Sequence, residues 1–223
     1  MYYPSRRCVP LGVLLRLGIV ALFAFVLTGC GGGDSPAPSG PAPPPPPVPP
    51  PAASAAIGLA ITPDGAFAYV TSGIFQVTVF VIATASNTVV ARVPVGDGPV
   101  GVAITPDGAF AYVTSFNSDD VSVIETATNT VVATVPVGGG PIGVAITPDG
   151  AFAYVTNLSL GRVSVIETAS NTVVATVVVG VEPRGVAITP DGAFAYVMNQ
   201  DSGTVAVIAT ASNTVVAVVP VGG

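Results

Sequence analysis

Four aspartates recur in one setting, Thr-Pro-Asp-Gly, at Asp64, Asp107, Asp149 and Asp191. Carboxylates gathered in a ring could hold a cation through oxygen ligands or exchange protons as an acid/base set. The same string also has a plainer chemistry. Proline presets φ, aspartate hydrogen-bonds its own backbone, and glycine takes positive φ, so Pro-Asp-Gly makes a tight hairpin turn. That reading accounts for every residue of the string and is the one adopted. Asn87, Asn129, Asn171 and Asn213, each followed by threonine, read as turn residues in the same way. Tyr69, Tyr112, Tyr154 and Tyr196 sit at strand spacing and read as packing between neighbouring units, with a polar tip. Asp119-Asp120 is an adjacent acidic pair without a spaced ligand series, so no calcium site is assigned to it and no metal is expected.

The residues that are missing narrow the chemistry further. The chain has no histidine, and all six of its basic residues are arginines. The commonest general base and metal ligand is therefore absent, as is a catalytic lysine. No Gly-rich phosphate loop and no Cys-x-x-Cys pair is present. A non-enzyme is expected, with no cofactor. A carboxylate-only hydrolase of lactonase-like type is the first alternative, and an accessory scaffold for an electron-transfer partner is the second.

The elements that would position these residues come from repetition. GVAITPDGAFAYVT runs from Gly101 to Thr114 and again from Gly143 to Thr156; it recurs with one change at Gly185–Met198. A close copy opens the series at Gly58–Thr71. A period of about 42 residues is the mark of a repeat architecture whose units bury their apolar faces on one another. Within the second copy, short apolar runs alternate with turns. Gly101–Thr105, Phe110–Ser115, Val121–Ile124 and Thr130–Val137 read as four strands, and no segment has helical periodicity. Four antiparallel strands per repeat is the plan of a β-propeller blade. The expected fold is all-β: four four-stranded blades, covering approximately 57–99, 100–141, 142–183 and 184–223. They would form either a small closed ring or an open arc completed by a second chain; a truncated reading frame is a third account of the count. The fourth strand would be the outer edge, where Pro94, Pro136 and Pro220 blunt edge pairing and Val178 does not.

The YVT(N/S) strings, the ITPDG turns and the (A/E)TA(S/T)NTVVA segments resemble the YVTN family of β-propeller repeats across residues 57–223. The resemblance implies the fold and an extracytoplasmic or surface setting, and no defined activity. It also implies about seven blades, where this chain has four.

Residues 1–29 read as a secretory signal: Arg6, Arg7 and Arg16, then the apolar run Leu17–Leu27. The run closes on Leu27-Thr28-Gly29-Cys30, which resembles the lipobox of bacterial lipoproteins. The resemblance implies that Cys30 carries lipid and becomes the mature N-terminus, anchoring the protein to a membrane. Gly31 in place of an acidic residue points to the outer membrane, by the same resemblance. Cys8 would leave with the signal, so no intrachain disulfide is expected. Residues 30–56 are the lipidated cysteine and a tether in which eleven of the last 26 residues are proline. Such a stretch extends as polyproline II, about 3.1 Å per residue. The mature chain would keep three arginines against 12 acids, a net charge of −9, which argues against nucleic acid as a partner.

Comparison of the copies separates two faces. The turns between first and second strands and between third and fourth strands are uniform. The loops between second and third strands differ: Gly73–Thr78, Phe116–Asp120, Leu158–Arg162 and Gln200–Thr204. The inter-copy loops differ too, and lie on the same end of the blades. Binding residues concentrate on loops held by a rigid scaffold. The candidate binding face is therefore Asp119, Asp120, Arg162, Glu182, Arg184, Gln200 and Asp201, with a protein or envelope polymer as the expected ligand.

Overall fold

A computed structural model describes residues 57–222. The signal, Cys30 and the tether lie outside the described residues. Sixteen strands form four antiparallel four-stranded sheets, each from strands consecutive in the chain. Blade one holds β1 (Leu59–Ile61), β2 (Phe67–Thr71), β3 (Thr78–Ala83) and β4 (Thr88–Pro94). Blade two holds β5 (Pro99–Ile104), β6 (Phe110–Ser115), β7 (Asp120–Glu125) and β8 (Thr130–Pro136). Blade three holds β9 (Pro141–Ile146), β10 (Phe152–Asn157), β11 (Arg162–Glu167) and β12 (Thr172–Val178), with a 3-10 turn at Leu158–Leu160. Blade four holds β13 (Pro183–Ile188), β14 (Phe194–Asn199), β15 (Thr204–Ala209) and β16 (Thr214–Pro220). These are the blades of a β-propeller.

The strand starts depart slightly from the sequence reading. Pro99, Pro141 and Pro183 open the first strands, one residue before the expected repeat boundaries. Asp120, Arg162 and Thr204 begin third strands and do not close the preceding loops. Proline is tolerated at the first residue of a strand because its missing N–H faces no partner there.

The apolar runs in the middle strands fit blades covered on both faces, as blades two and three are. Alternation sends successive residues to opposite neighbours. Along β7, Val121 and Val123 join the cluster against blade three, while Ile124 joins the cluster against blade one. In β6, Tyr112 faces blade three and Ala111 and Val113 face blade one. The fourth strands form the outer edge, ending at Pro94, Pro136 and Pro220. Val178, which ends β12, is 69% exposed.

A polar relay accompanies each apolar contact. The backbone of β5 bulges between Pro99 and Val102, which takes Val100 and Gly101 out of the ladder with β6. The freed Gly101 N–H donates to Thr114 Oγ1 at 2.8 Å, and Thr114 Oγ1 donates to the Ile142 carbonyl of blade three at 2.8 Å. Gly58, Thr71 and the Val100 carbonyl make the same relay one blade earlier, and Gly143, Thr156 and the Arg184 carbonyl one blade later. A Cβ on Gly58, Gly101 or Gly143 would collide with that carbonyl oxygen, which explains the glycine. In blade four Met198 replaces the threonine, and the relay stops.

Three hydrophobic clusters join blades one to two, two to three and three to four. Among the described residues none joins blade four to blade one. Tyr69, Tyr112 and Tyr154 are at most 1% exposed, whereas Tyr196 is 45% exposed. Leu59 and Ile61 on blade one are likewise exposed. Of the two arrangements expected for four blades, the structure has the open arc.

Candidate functional site

The uniform end of the arc is built by its turns. Asp107 Oδ1 accepts from Thr105 Oγ1 at 2.6 Å and from the Ala109 N–H at 2.9 Å, and Gly108 takes φ 75°. The turns at Asp64, Asp149 and Asp191 repeat this pattern. Thr126 Oγ1 donates to the Gly108 carbonyl at 2.6 Å and ties the two turns of its blade together, as Thr84, Thr168 and Thr210 do in theirs. Asn87, Asn129, Asn171 and Asn213 all lie in the left-handed region, φ 51–54°. Three of them have a second role. Tyr69, Tyr112 and Tyr154 hydroxyls donate to Oδ1 of Asn129, Asn171 and Asn213 on the following blade, at 2.7–2.8 Å. Burial, then the nearby Asp107 or Asp149 charge, pushes the Tyr112 and Tyr154 phenols up to about 12.

Clefts of about 200–220 Å³ lie between neighbouring turns on this end, each bordered by two of the aspartates. One carboxylate oxygen of every such aspartate is already committed to its own turn. The threonine hydroxyl first, and the alanine N–H second, hold all four carboxyls below the ordinary aspartate value. A carboxyl depressed in the folded state stabilises the fold above its unfolded pKa, near 3.9, and that contribution is lost as pH falls through the lower folded value. Urea midpoints measured by circular dichroism are therefore expected to fall below about pH 4, and Thr105→Val with Thr147→Val should soften that acid limb.

The opposite end is built by interlocked loops. Phe116 N–H and Asn117 N–H donate to the carbonyls of Gly98 and Asp97 from the preceding blade, at 2.8 and 3.1 Å. Leu158 N–H donates to Gly140, and Gln200 N–H to Glu182, each at 3.0 Å. Every variable loop between second and third strands is thus pinned to an inter-blade loop, and the two loop sets share one end as the copies suggested.

The seven candidate residues divide into groups on this end. Asp119 has φ 59° and its carboxylate accepts the Gly140 N–H at 2.8 Å, so it shapes the loop between blades two and three. Asp120 opens β7 beside Ser115; burial raises its pKa, the Ser115 hydroxyl opposes that, and the Asp119 charge adds a little. Arg162 opens β11 and is exposed. Glu182, with φ 53°, forms an ion pair with Arg184 at 3.4 Å, the two side chains 35% and 42% exposed. Gln200 is bonded to this corner through the Glu182 carbonyl, and the exposed Asp201 follows it in the same loop. No group of three or more acidic, cysteine or histidine side chains converges among the described residues.

Beside the Glu182–Arg184 pair lies a hollow of about 400 Å³. Leu158, Leu160, Val178 and Val181 line it, with Glu182 as its one charged side chain. Leu160, Val178 and Val181 are 50–69% exposed. Of the residues chosen from sequence only Glu182 lines this hollow, and its apolar lining was not among them. Two signals pointed to it: the apolar Leu-Ser-Leu loop, and the valine at 178 where the other copies have proline.

Comparison with known proteins agrees with the fold. The family model "Lactonase, 7-bladed beta-propeller" matches residues 136–216. Among curated proteins no sequence matches the chain. Hydrazine synthase of Kuenenia stuttgartiensis is similar in structure, with a TM-score of 0.70 and 29% identity over 74% of this chain and 49% of that one. A functionally unknown protein from Desulfotomaculum acetoxidans gives a TM-score of 0.63 and 25% identity over 72% of this chain and 54% of that one. The chain spans about half the length of these two structures.

Proposed function

We propose that this β-propeller chain is a non-enzymatic binding module of a bacterial envelope. On this reading it belongs with the YVTN-type repeat proteins, is anchored at the outer membrane through lipid on Cys30, and is held off the membrane by its proline-rich tether. The loop end at Leu158–Leu160 and Val181–Glu182 meets the ligand. The observation that carries the reading is the hollow there: exposed apolar side chains beside one ion pair, on loops pinned from two blades. Apolar surface supplies affinity and a few fixed polar groups supply orientation. That composition suits a protein segment or envelope polymer presenting an apolar group next to a charged one.

The lactonase-family match over residues 136–216 favours a second reading, hydrolysis using carboxylates alone. Asp120 and Glu182 are the carboxylates on the loop end that such chemistry would draw on. The full chain incubated with a panel of aliphatic lactones is expected to hydrolyse none above the buffer rate. Labelled palmitate fed to the producing cells is expected to enter the wild type and not Cys30→Ala. Lactone turnover abolished by Glu182→Gln or Asp120→Asn would replace the binding reading with the second one.

A further inference from the structure

Each blade contact has two unlike halves. Between blades three and four, the leading half is Tyr154 with Val163, Val165 and Val177, and the following half is Ala195, Val197 and Ile208. The Asn213 Oδ1 on the following blade accepts a hydrogen bond from the tyrosine hydroxyl. Among the described residues, the arc leaves one spare half at each end. Blade four carries Tyr196, Val205, Val207 and Val219, the same residue types in the same order as the leading half, with Val207 buried and Val205 partly exposed. Blade one presents Ala68, Val70 and Ile82, identical to the following half, together with Asn87. Tyr196 and Val219 are each 45% exposed, against at most 6% for their counterparts inside the arc. The glycine that clears the neighbour's carbonyl is also present on blade four, as Gly185, and a Cβ there meets only the Met198 methyl, at 3.8 Å.

We infer that the open face of blade four docks on the open face of blade one in a second copy of this chain, so that two copies close an eight-bladed ring through two identical junctions. The occupant is argued from continuity: each end of one chain carries the half that the other end lacks, in the residues already used three times within the arc. A head-to-tail contact of this kind closes when the rotation permits, and eight blades lie within the usual range of propellers. The new bond at each junction is Tyr196 hydroxyl to Asn87 Oδ1 of the second copy.

The junction differs from the internal contacts in two places. Met198 cannot make the threonine relay. Phe80, covered by the Arg92 guanidinium at 5.2 Å, stands where the second and third blades have Ser122 and Ser164. Each junction is accordingly weaker than an internal contact, and assembly depends on concentration.

Native mass spectrometry of the full chain released from detergent tests this inference. The expected result is a mass of two chains that dissociates on dilution. Ile61→Asp spoils one face and Val219→Asp the other; both positions are exposed in the single chain, and circular dichroism checks that both variants stay folded. Each variant alone is expected to be a monomer. An equimolar mixture should regain two-chain particles, because one junction in the mixed pair is wild type. Tyr196→Phe, a milder change, should weaken association by about tenfold through two lost hydrogen bonds. A monomer at all concentrations, a ladder of longer assemblies, or a dimer that survives either charge variant would overturn the inference.

Discussion

Tyr112→Ala is expected to lower the unfolding free energy by about 3–5 kcal/mol, the range for truncating a large buried aromatic. Tyr112 is fully buried in the cluster between blades two and three, and its hydroxyl is bonded to Asn171. The loss falls on one contact between repeats. In a structure stabilised by nearest-neighbour interfaces, weakening one of them uncouples the parts on either side. Urea unfolding should therefore shift to a lower midpoint and broaden toward two steps, with blades one and two separating from blades three and four. Tyr196→Ala supplies the control within the same molecule. The residue type and strand position are the same, but the side chain is 45% exposed and no blade covers it. Its effect on the fold should be less than half as large, and should fall on association between chains. Equal losses at the two positions would contradict the open arc.

Gly143→Val is the second large effect, with an expected cost on the order of 3 kcal/mol from overpacking. The Cβ of any side chain at 143 would run into the Arg184 carbonyl oxygen, which is backbone in the bulge that follows Pro183. The same carbonyl accepts the Thr156 hydroxyl at 2.7 Å, so moving it aside breaks the relay as well. Gly185→Val is again the control, because a Cβ there finds open space apart from the Met198 methyl. Thermal unfolding of the two variants side by side reads the difference directly. A near-neutral Gly143→Val would show that the blades approach less closely than the structure has them.

The parts of this account that rest on contacts between near neighbours in the chain were legible beforehand. Thr-Pro-Asp-Gly is a complete local device: its hydrogen bonds join residues two to five apart, and the structure has all four copies closed. The asparagine turns and the grouping of variable loops on one end followed from the same local logic and from strand alternation. Contacts across repeats were not legible in the same detail. Tyr112 and Asn171 lie 59 residues apart, and nothing in either string names the other as partner. Thr114 reads as one more β-branched strand residue until the bulge after Pro99, and its equivalent after Pro141, free a carbonyl for it to bond. Asp119 drew attention as a carboxylate, yet its φ of 59° and its bond to Gly140 make it the corner of a loop. The hollow went unseen because Leu158, Leu160, Val178 and Val181 come from a loop, a strand end and an inter-blade connection. Chain order separates them, and the pairing of β11 with β12, which sets Arg162 opposite Val178 and bonds Val179 to Gly161, brings them side by side.

The two ends of the arc follow different rules. One is fixed by the requirements of its turns, where any change in Asp, Gly or Asn disturbs backbone geometry. On the other, the pinned backbone leaves side chains free to differ from blade to blade. The proposed reading places recognition on the second end, and a photo-reactive residue reports on that claim most directly. It would be placed in the full chain in its cellular setting, at Leu160 or Asp201 on the loop end and at Ala127 or Ala169 on the turn end; Leu160 is half-exposed and the other three are exposed. The account predicts one discrete adduct from the loop-end positions, lost when Val178→Asp fills the hollow with charge, and none from the turn-end positions. Adducts from Ala127 or Ala169 with none from Leu160 or Asp201 would place recognition on the wrong end of the arc and contradict it.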